Sequence, residues 1–424
     1  MNSRIKHVHG RAGIDCKGLP CLEVDIVTED GILGRASSPS GISAGTHEAY
    51  VLRDGDPAWF RGLGVYKAVE TVNRIIAPAV IGMDVNDQGA LDRKLVELDG
   101  TAQKTRLGGN CTYSVSLAAL RAAAAIKREP LYRILNPAPV KTIPLPTANC
   151  FSGGSYQKNS MPFQEITIVP YKAASLQEAG EIIAAVYAEM PRAIKAFSGK
   201  EAIPGSHSSF RCPSTSPDDA YAMAALAAEM AGKRDKIAFA ADCAFSEIYD
   251  EESDTYNLIG RQAKLNEVLD MLEELTEKYP FLYIEDPVNE NDWEGWRIAR
   301  KRLKKTVLVG DDLTVTNIDR LRTAVEYQAC GAFILKPNQV GTVSETLAAA
   351  SYAAQNGIFS IPSTRAGGVN DDPIADFAIA LGSPAIKCGP PRNGHCVHCY
   401  NVLTRCEDEN PGAVPFDFSP YVRF

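Results

Sequence analysis

The stretch TVLVGDDLTVTNIDRLRTAVEYQACGAFILKPNQVGTVSETLAAASYAAQNGIFSIPST, residues 306–364, decides the fold. Three short apolar runs, TVLVGDD, AFILKPN and FSIPST, alternate in it with longer segments such as SETLAAASYAAQNG, whose alanines and apolar spacing predict helix. That alternation is the βα unit, whose strands lie parallel and are buried on both faces. The same beat extends outward to EITIVP (165–170), KIAFAAD (236–242), FLYIED (281–286) and AIKCG (385–389). The strand count and the near-continuous apolar runs favour a closed barrel over an open sheet, although periodicity alone does not separate the two.

Upstream the texture differs. CLEVDIVTEDGILGRASS (21–38) alternates around a turn-forming EDG and predicts a hairpin, followed by the small-residue stretch PSGISAGTHEAYVLRDGD (39–56). Residues 64–135 carry a helical pattern. Four prolines within residues 137–146 mark a boundary, which divides the chain into an α+β unit, 1–138, and a βα barrel, 139–424.

At about 150 residues per domain, 424 residues suit a barrel with a cap. With 45% apolar and 23% charged residues the chain is globular, and its net charge of −8 argues against a nucleic-acid partner. No run approaches the roughly 18 apolar residues of a membrane span, so a membrane partner is not expected and the cytoplasm is the expected location. Eleven cysteines, an odd count with several inside apolar runs, read as reduced core thiols. The cluster His395, Cys396, His398 and Cys399, near Cys388 and Cys406, lacks a second well-spaced ligand pair for zinc, and packing is preferred.

The charges that close the apolar runs carry the chemistry. Asp242, Glu285, Asp311, Lys336, Arg365 and Lys387 each follow a strand, and barrel strand ends converge on one mouth. Three carboxylates there suit a hard cation, Mg²⁺ rather than zinc. A desolvated lysine near other cations loses its proton more readily and can serve as a base, which points to proton abstraction beside a carboxylate through an enediolate.

PSGISAGTHEAYVLRDGD, FQEITIVP, DCAFSE, YIEDP, GDDLTVTN, ILKPNQVGTVSETL and YNVLTRCEDE together resemble enolase, in order and along essentially the whole chain. The resemblance implies an N-terminal α+β capping domain, a modified (β/α)8 barrel whose first strands are antiparallel, a homodimer or higher homo-oligomer, and two Mg²⁺ per site. It implies that Asp242, Glu285 and Asp311 hold the first ion and that Ser43 closes over the substrate and helps hold the second. It further implies Lys336 as the base, Lys387 at the substrate carboxylate, Arg365 at the substrate phosphate and Glu165 as an active-site glutamate. A Lys base paired with Mg²⁺ is a general property of the superfamily.

The departures lie on the leaving-group side. GSHSS stands where the family has a GDEGG-type loop, placing His207 at the position of a glutamate, and Tyr156 replaces a histidine. Thr364, Arg365 and Ala366 replace a His-Arg-Ser triplet. Of the six histidines (7, 9, 47, 207, 395 and 398), none is a close sequence neighbour able to replace those lost. Tyr156 and Thr364 are therefore expected as substrate-binding positions and His207 as a catalytic one. The expected substrate is a small phosphorylated or phosphonylated carboxylate such as 2-phosphoglycerate or phosphoenolpyruvate. The most specific expectation is carboxyphosphonoenolpyruvate synthase activity in phosphinothricin-type phosphonate biosynthesis. The alternatives are 2-phosphoglycerate dehydration with His207 as substitute acid, a lyase or racemase acting on a non-phosphorylated acid, and a non-catalytic enolase-like binding protein. Pro337, directly after Lys336, is expected to disturb the strand geometry at the base.

Overall fold

The computed structural model describes residues 2–41, 45–157 and 160–423. Three antiparallel strands open the chain: β1 (Ile5–Ile14), β2 (Pro20–Thr28) and β3 (Leu33–Ser37), with β2 and β3 forming the hairpin foreseen around Asp30 and Gly31. The alanine-rich helix Gly109–Lys127 lies on this sheet. At Gly34 a Cβ would stand 2.0 Å from the Ala118 carbonyl, so backbone meets backbone there and only glycine fits.

Eight strands then form the barrel: β4 (Leu145–Ser152), β5 (Glu165–Val169), β6 (Ala238–Asp242), β7 (Phe281–Glu285), β8 (Val307–Gly310), β9 (Ala332–Leu335), β10 (Phe359–Pro362) and β11 (Ala385–Lys387). They pair in the order β10-β9-β8-β7-β6-β5-β4-β11, and a parallel bridge between Ser363 and Lys387 closes the ring. Only β5 runs against its neighbours. The sequence reading missed β4, because LPTANCFS starts inside the proline-rich boundary and lacks a β-branched run, yet all eight of its residues are buried. It also missed β1.

Reversing β5 changes the connections. β5 leaves the mouth at Glu165, so the chain must climb back along one helix, Leu176–Ser198, and descend another, Pro217–Met230, before β6 can start from the floor. Ser175 and Ser216 cap these helices through the N–H groups of Glu178 and Asp219. The loop between them, 199–216, returns to the mouth, where Phe210 and Arg211 pair with Phe151 and Ser152 at the end of β4.

Along a strand, side chains alternate, and Ala238, Ala240, Ala332, Ile334 and Ala385 fill the lumen. Two residues further on, Asp242, Lys336 and Lys387 are thereby aimed into the mouth. The N-terminal unit covers that mouth: Ser40 and Gly367 exchange backbone hydrogen bonds, the Ala49 N–H donates to the Gln339 carbonyl at 2.7 Å, and buried Lys104 pairs with Glu345 at 2.8 Å. No helix among the described residues is long and apolar enough to cross a membrane.

Candidate functional site

Lys387 sits at the centre of the mouth. Its Nζ donates to Asp242 Oδ2 at 2.9 Å and to Glu285 Oε2 at 2.6 Å, and lies 3.7 Å from Glu165 Oε2. Burial opposes its positive charge, but Asp242 and Glu285 outweigh burial and raise its pKa well above the ordinary lysine value. Two strands over, Lys336 Nζ donates to Asp311 Oδ2, while Asp311 Oδ1 accepts from Gln339 Nε2 at 3.0 Å. Burial again disfavours the ammonium, yet Asp311 and Glu285 leave Lys336 raised, opposite to the expected lowering. The reason is direct pairing: Asp311 bonds Lys336 itself.

Glu165 reaches the mouth because β5 is reversed; it begins that strand, in register with Asp242. Four carboxylates (Glu165, Asp242, Glu285, Asp311) thus face two ammonium groups (Lys336, Lys387), and Glu285 Oε1, fully buried, has no hydrogen-bond partner. Excess negative charge with an orphaned carboxylate oxygen fits a divalent cation. The expected ligand set is not, however, the tightest acid cluster. Among the described residues Asp286, Asp311 and Asp312 form a group whose oxygens lie within 4.8 Å of one another, close enough to share a cation, whereas Lys387 and Lys336 stand among Asp242, Glu285 and Asp311. Asp286 accepts the backbone N–H groups of Asp311 (3.0 Å) and Asp312 (2.8 Å), so it also fixes the turn that presents Asp311.

Arg365, 4% exposed, forks onto Glu48 at 3.1 Å and donates to Asn338 Oδ1 at 3.1 Å. Glu48 comes from the N-terminal unit, so this pair ties cap to barrel. Thr364 and Tyr156 line the same cleft as Arg365, Lys336, Lys387, Asp242 and Glu165. Pro337 does not disturb the base: β9 ends at Leu335, Pro337 opens a short 3-10 turn where no amide is required, and the Lys336 N–H donates to Thr316 Oγ1 at 2.9 Å.

His207 forms the opposite wall in a left-handed backbone conformation, φ 53° and ψ 38°. Its ring stands edge-on to Tyr156 at 4.6 Å, Nδ1 lies 3.5 Å from Glu165 Oε1, and Nε2 lies 3.4 Å from Lys17 Nζ. Burial would raise the Glu165 pKa, but His207 and Lys387 outweigh it and hold the carboxyl below its ordinary value. All eleven cysteines are free and all but Cys16 buried, and the 395–399 cluster is not among the metal-competent groups of the described residues.

Residues 5–135 match the family model for the enolase N-terminal domain, and residues 140–418 match that for the enolase C-terminal TIM barrel domain. The chain belongs to the enolase family. For this enolase-family chain the structure brings Asp242, Glu285, Asp311, Lys336, Lys387, Glu165, His207, Tyr156, Thr364 and Arg365 to one mouth; Ser43 lies outside the described residues. Sequence reasoning missed three participants: Glu48, Lys17 and His395. His395 lines the cleft although it is no close sequence neighbour of the lost positions: it arrives through the fold. A histidine within a Cys/His cluster gives no signal of this kind, whereas Glu48 lies in a stretch already quoted for the resemblance.

Proposed function

We propose that the chain is a Mg²⁺-dependent enzyme that removes the proton beside the carboxylate of a small phosphorylated or phosphonylated acid, with a leaving-group side rebuilt for a different departure. The observation that carries this reading is one cleft holding two sets of groups: Lys336, Lys387 and Arg365 with three strand-end carboxylates, and beside them Tyr156 and His207, whose ring meets Glu165 at 3.5 Å. Lys336 takes the proton at Cα as the free amine, which requires Asp311, the partner that holds it protonated, to turn to another partner, and Lys387 faces the substrate carboxylate, where charge builds as the enediolate forms. Arg365, planar and locked by Glu48, suits the phosphate oxygens, with Thr364 beside it. Asp242, Glu285 and Asp311 would hold Mg²⁺, with Ser43 as a further ligand of a second ion; bound there, Mg²⁺ supplies Lewis-acid stabilisation of carboxylate charge.

The specific activity we infer is carboxyphosphonoenolpyruvate synthesis in phosphinothricin-type phosphonate biosynthesis, by a cytoplasmic homodimer or higher homo-oligomer divided at 138/139. The protein incubated with Mg²⁺ and 2-phosphoglycerate should form phosphoenolpyruvate far below an ordinary enolase rate, by ultraviolet absorbance, while phosphorus NMR with phosphonoformate present shows a new phosphonate and an equal amount of released inorganic phosphate, water being the other leaving group. Full enolase turnover overturns the specific activity. It would support instead 2-phosphoglycerate dehydration with His207 as acid, a reading favoured by its 3.5 Å approach to Glu165.

A further inference from the structure

The helix Gly394–Glu409 begins at the cleft wall. Asn393, at its N-cap, makes no side-chain capping bond, the first turn holds no acidic residue, and Asn393, His395 and Cys396 line the cleft that Glu165, Lys387 and Arg365 also line. A 16-residue helix places the positive end of its dipole there. Independently, His395 is 4% exposed and its Nδ1 has no hydrogen-bond partner, while Nε2 lies 3.4 Å from Cys396 Sγ. A buried ring nitrogen left unmatched costs stability, so it marks a place for a ligand atom. Lys17 approaches from the cap, 3.4 Å from His207 Nε2, a cleft residue, and has no ion-pair partner among the described residues. The acid nearest in sequence, Asp15, is occupied: its Oδ1 accepts the N–H groups of Lys17 (2.8 Å) and Leu19 (3.0 Å), and its Oδ2 accepts from Ser40 Oγ at 3.1 Å.

We propose that the helix N-terminus at Asn393–Cys396, with His395, His207 and Lys17, forms a subsite for a second oxyanion of the substrate or co-substrate, separate from the group taken by Arg365. Donors and a cation converge there, so the ligand is a carboxylate, phosphate or phosphonate rather than a neutral hydroxyl. The inference rests on the reading above in treating the cleft as the substrate site. The rebuilt side then holds a charged partner against the carbon centre that Lys336 activates.

The test uses full-length protein with ¹⁵N-labelled histidine, observed by NMR of the imidazole nitrogens. Methylphosphonate, inorganic phosphate and acetate are titrated separately, first without and then with saturating Mg²⁺ and phosphoenolpyruvate. Methylphosphonate or phosphate should move the His395 and His207 resonances, bind together with phosphoenolpyruvate, and bind at least tenfold more weakly to Lys17→Met and His395→Leu; preference for acetate would make the group a carboxylate. Lys17 is on the surface, so its variant remains informative if His395→Leu misfolds. Unmoved resonances, unchanged affinity in Lys17→Met, or displacement of phosphoenolpyruvate overturns the subsite. If phosphoenolpyruvate itself does not bind with Mg²⁺, the reading of function falls, and the subsite is judged on the titration without it.

Discussion

The two walls of the cleft are built on opposite plans. On the barrel side, charged groups stand at strand ends and neutralise one another: Lys387 against Asp242 and Glu285, Lys336 against Asp311, Arg365 against Glu48. On the far side, His207 rides a loop in a left-handed conformation, and the Nδ1 atoms of His207 and His395 lack hydrogen-bond partners. The barrel side is set by the period of the strands and tolerates little change, since removing one member of a buried pair strands the other. The far side is made of connections and leaves its polar groups open to a ligand.

The contrast can be broken most severely at the base. Lys336→Ala should slow exchange of the substrate's α-proton with solvent deuterium, read by NMR, by about 10²- to 10⁴-fold, with Mg²⁺ binding by calorimetry nearly unchanged. Retained exchange would move the chemistry away from the barrel side. Arg365→Met should cost about 3 to 5 kcal/mol in denaturant unfolding, because Glu48 is then buried without its partner. A loss below about 1 kcal/mol would show that the pair is not tightly compensated.

Behind the far wall, Asp372 gives a pH-dependent test. It is 1% exposed, neither carboxylate oxygen has a hydrogen-bond partner, and burial, with the charge of Asp371, pushes its pKa from 3.8 to about 7. The native state therefore binds this proton more tightly than the unfolded chain. The stability it contributes is complete below about pH 4 and is lost as pH rises to about 7. Asp372→Asn should stabilise the protein at pH 8, by roughly 4 kcal/mol at most, and do little at pH 5, as thermal melts at the two pH values would reveal. The smallest effect is expected at His207→Gly, which relieves the left-handed backbone and should add about 1 kcal/mol to stability while impairing turnover. A destabilised variant would mean that the ring packs more than it strains.

Legibility in the sequence followed the same division. The charges after FLYI, TVLVG, AFIL and AI were readable because an apolar run that ends in a charge needs only a barrel around it to define a mouth. Glu165 was not readable that way, since it begins its strand, and only the family resemblance placed it. The strand Leu145–Ser152 was hidden by prolines, although burial of every residue fixes it once its neighbours are in place. Lys17 and His395 were invisible for a different reason: each joins the cleft through long-range closure, one from the cap and one from the last long helix, and no local spacing records that.

The reversed strand has a consequence for how such a protein can change its chemistry. Because β5 runs downward, the return trip adds a loop, 199–216, that belongs to no strand of the ring and meets the barrel through the Phe210–Arg211 pairing with β4. Substitutions at its half-buried positions, His207 among them, leave the hydrogen-bonded ring and its lysines in place, whereas Ser209, Phe210 and Cys212 are buried against the barrel, so the loop is a variable segment anchored at one end. A lineage could rewrite the second half of its reaction one residue at a time without ever passing through an unfolded ancestor.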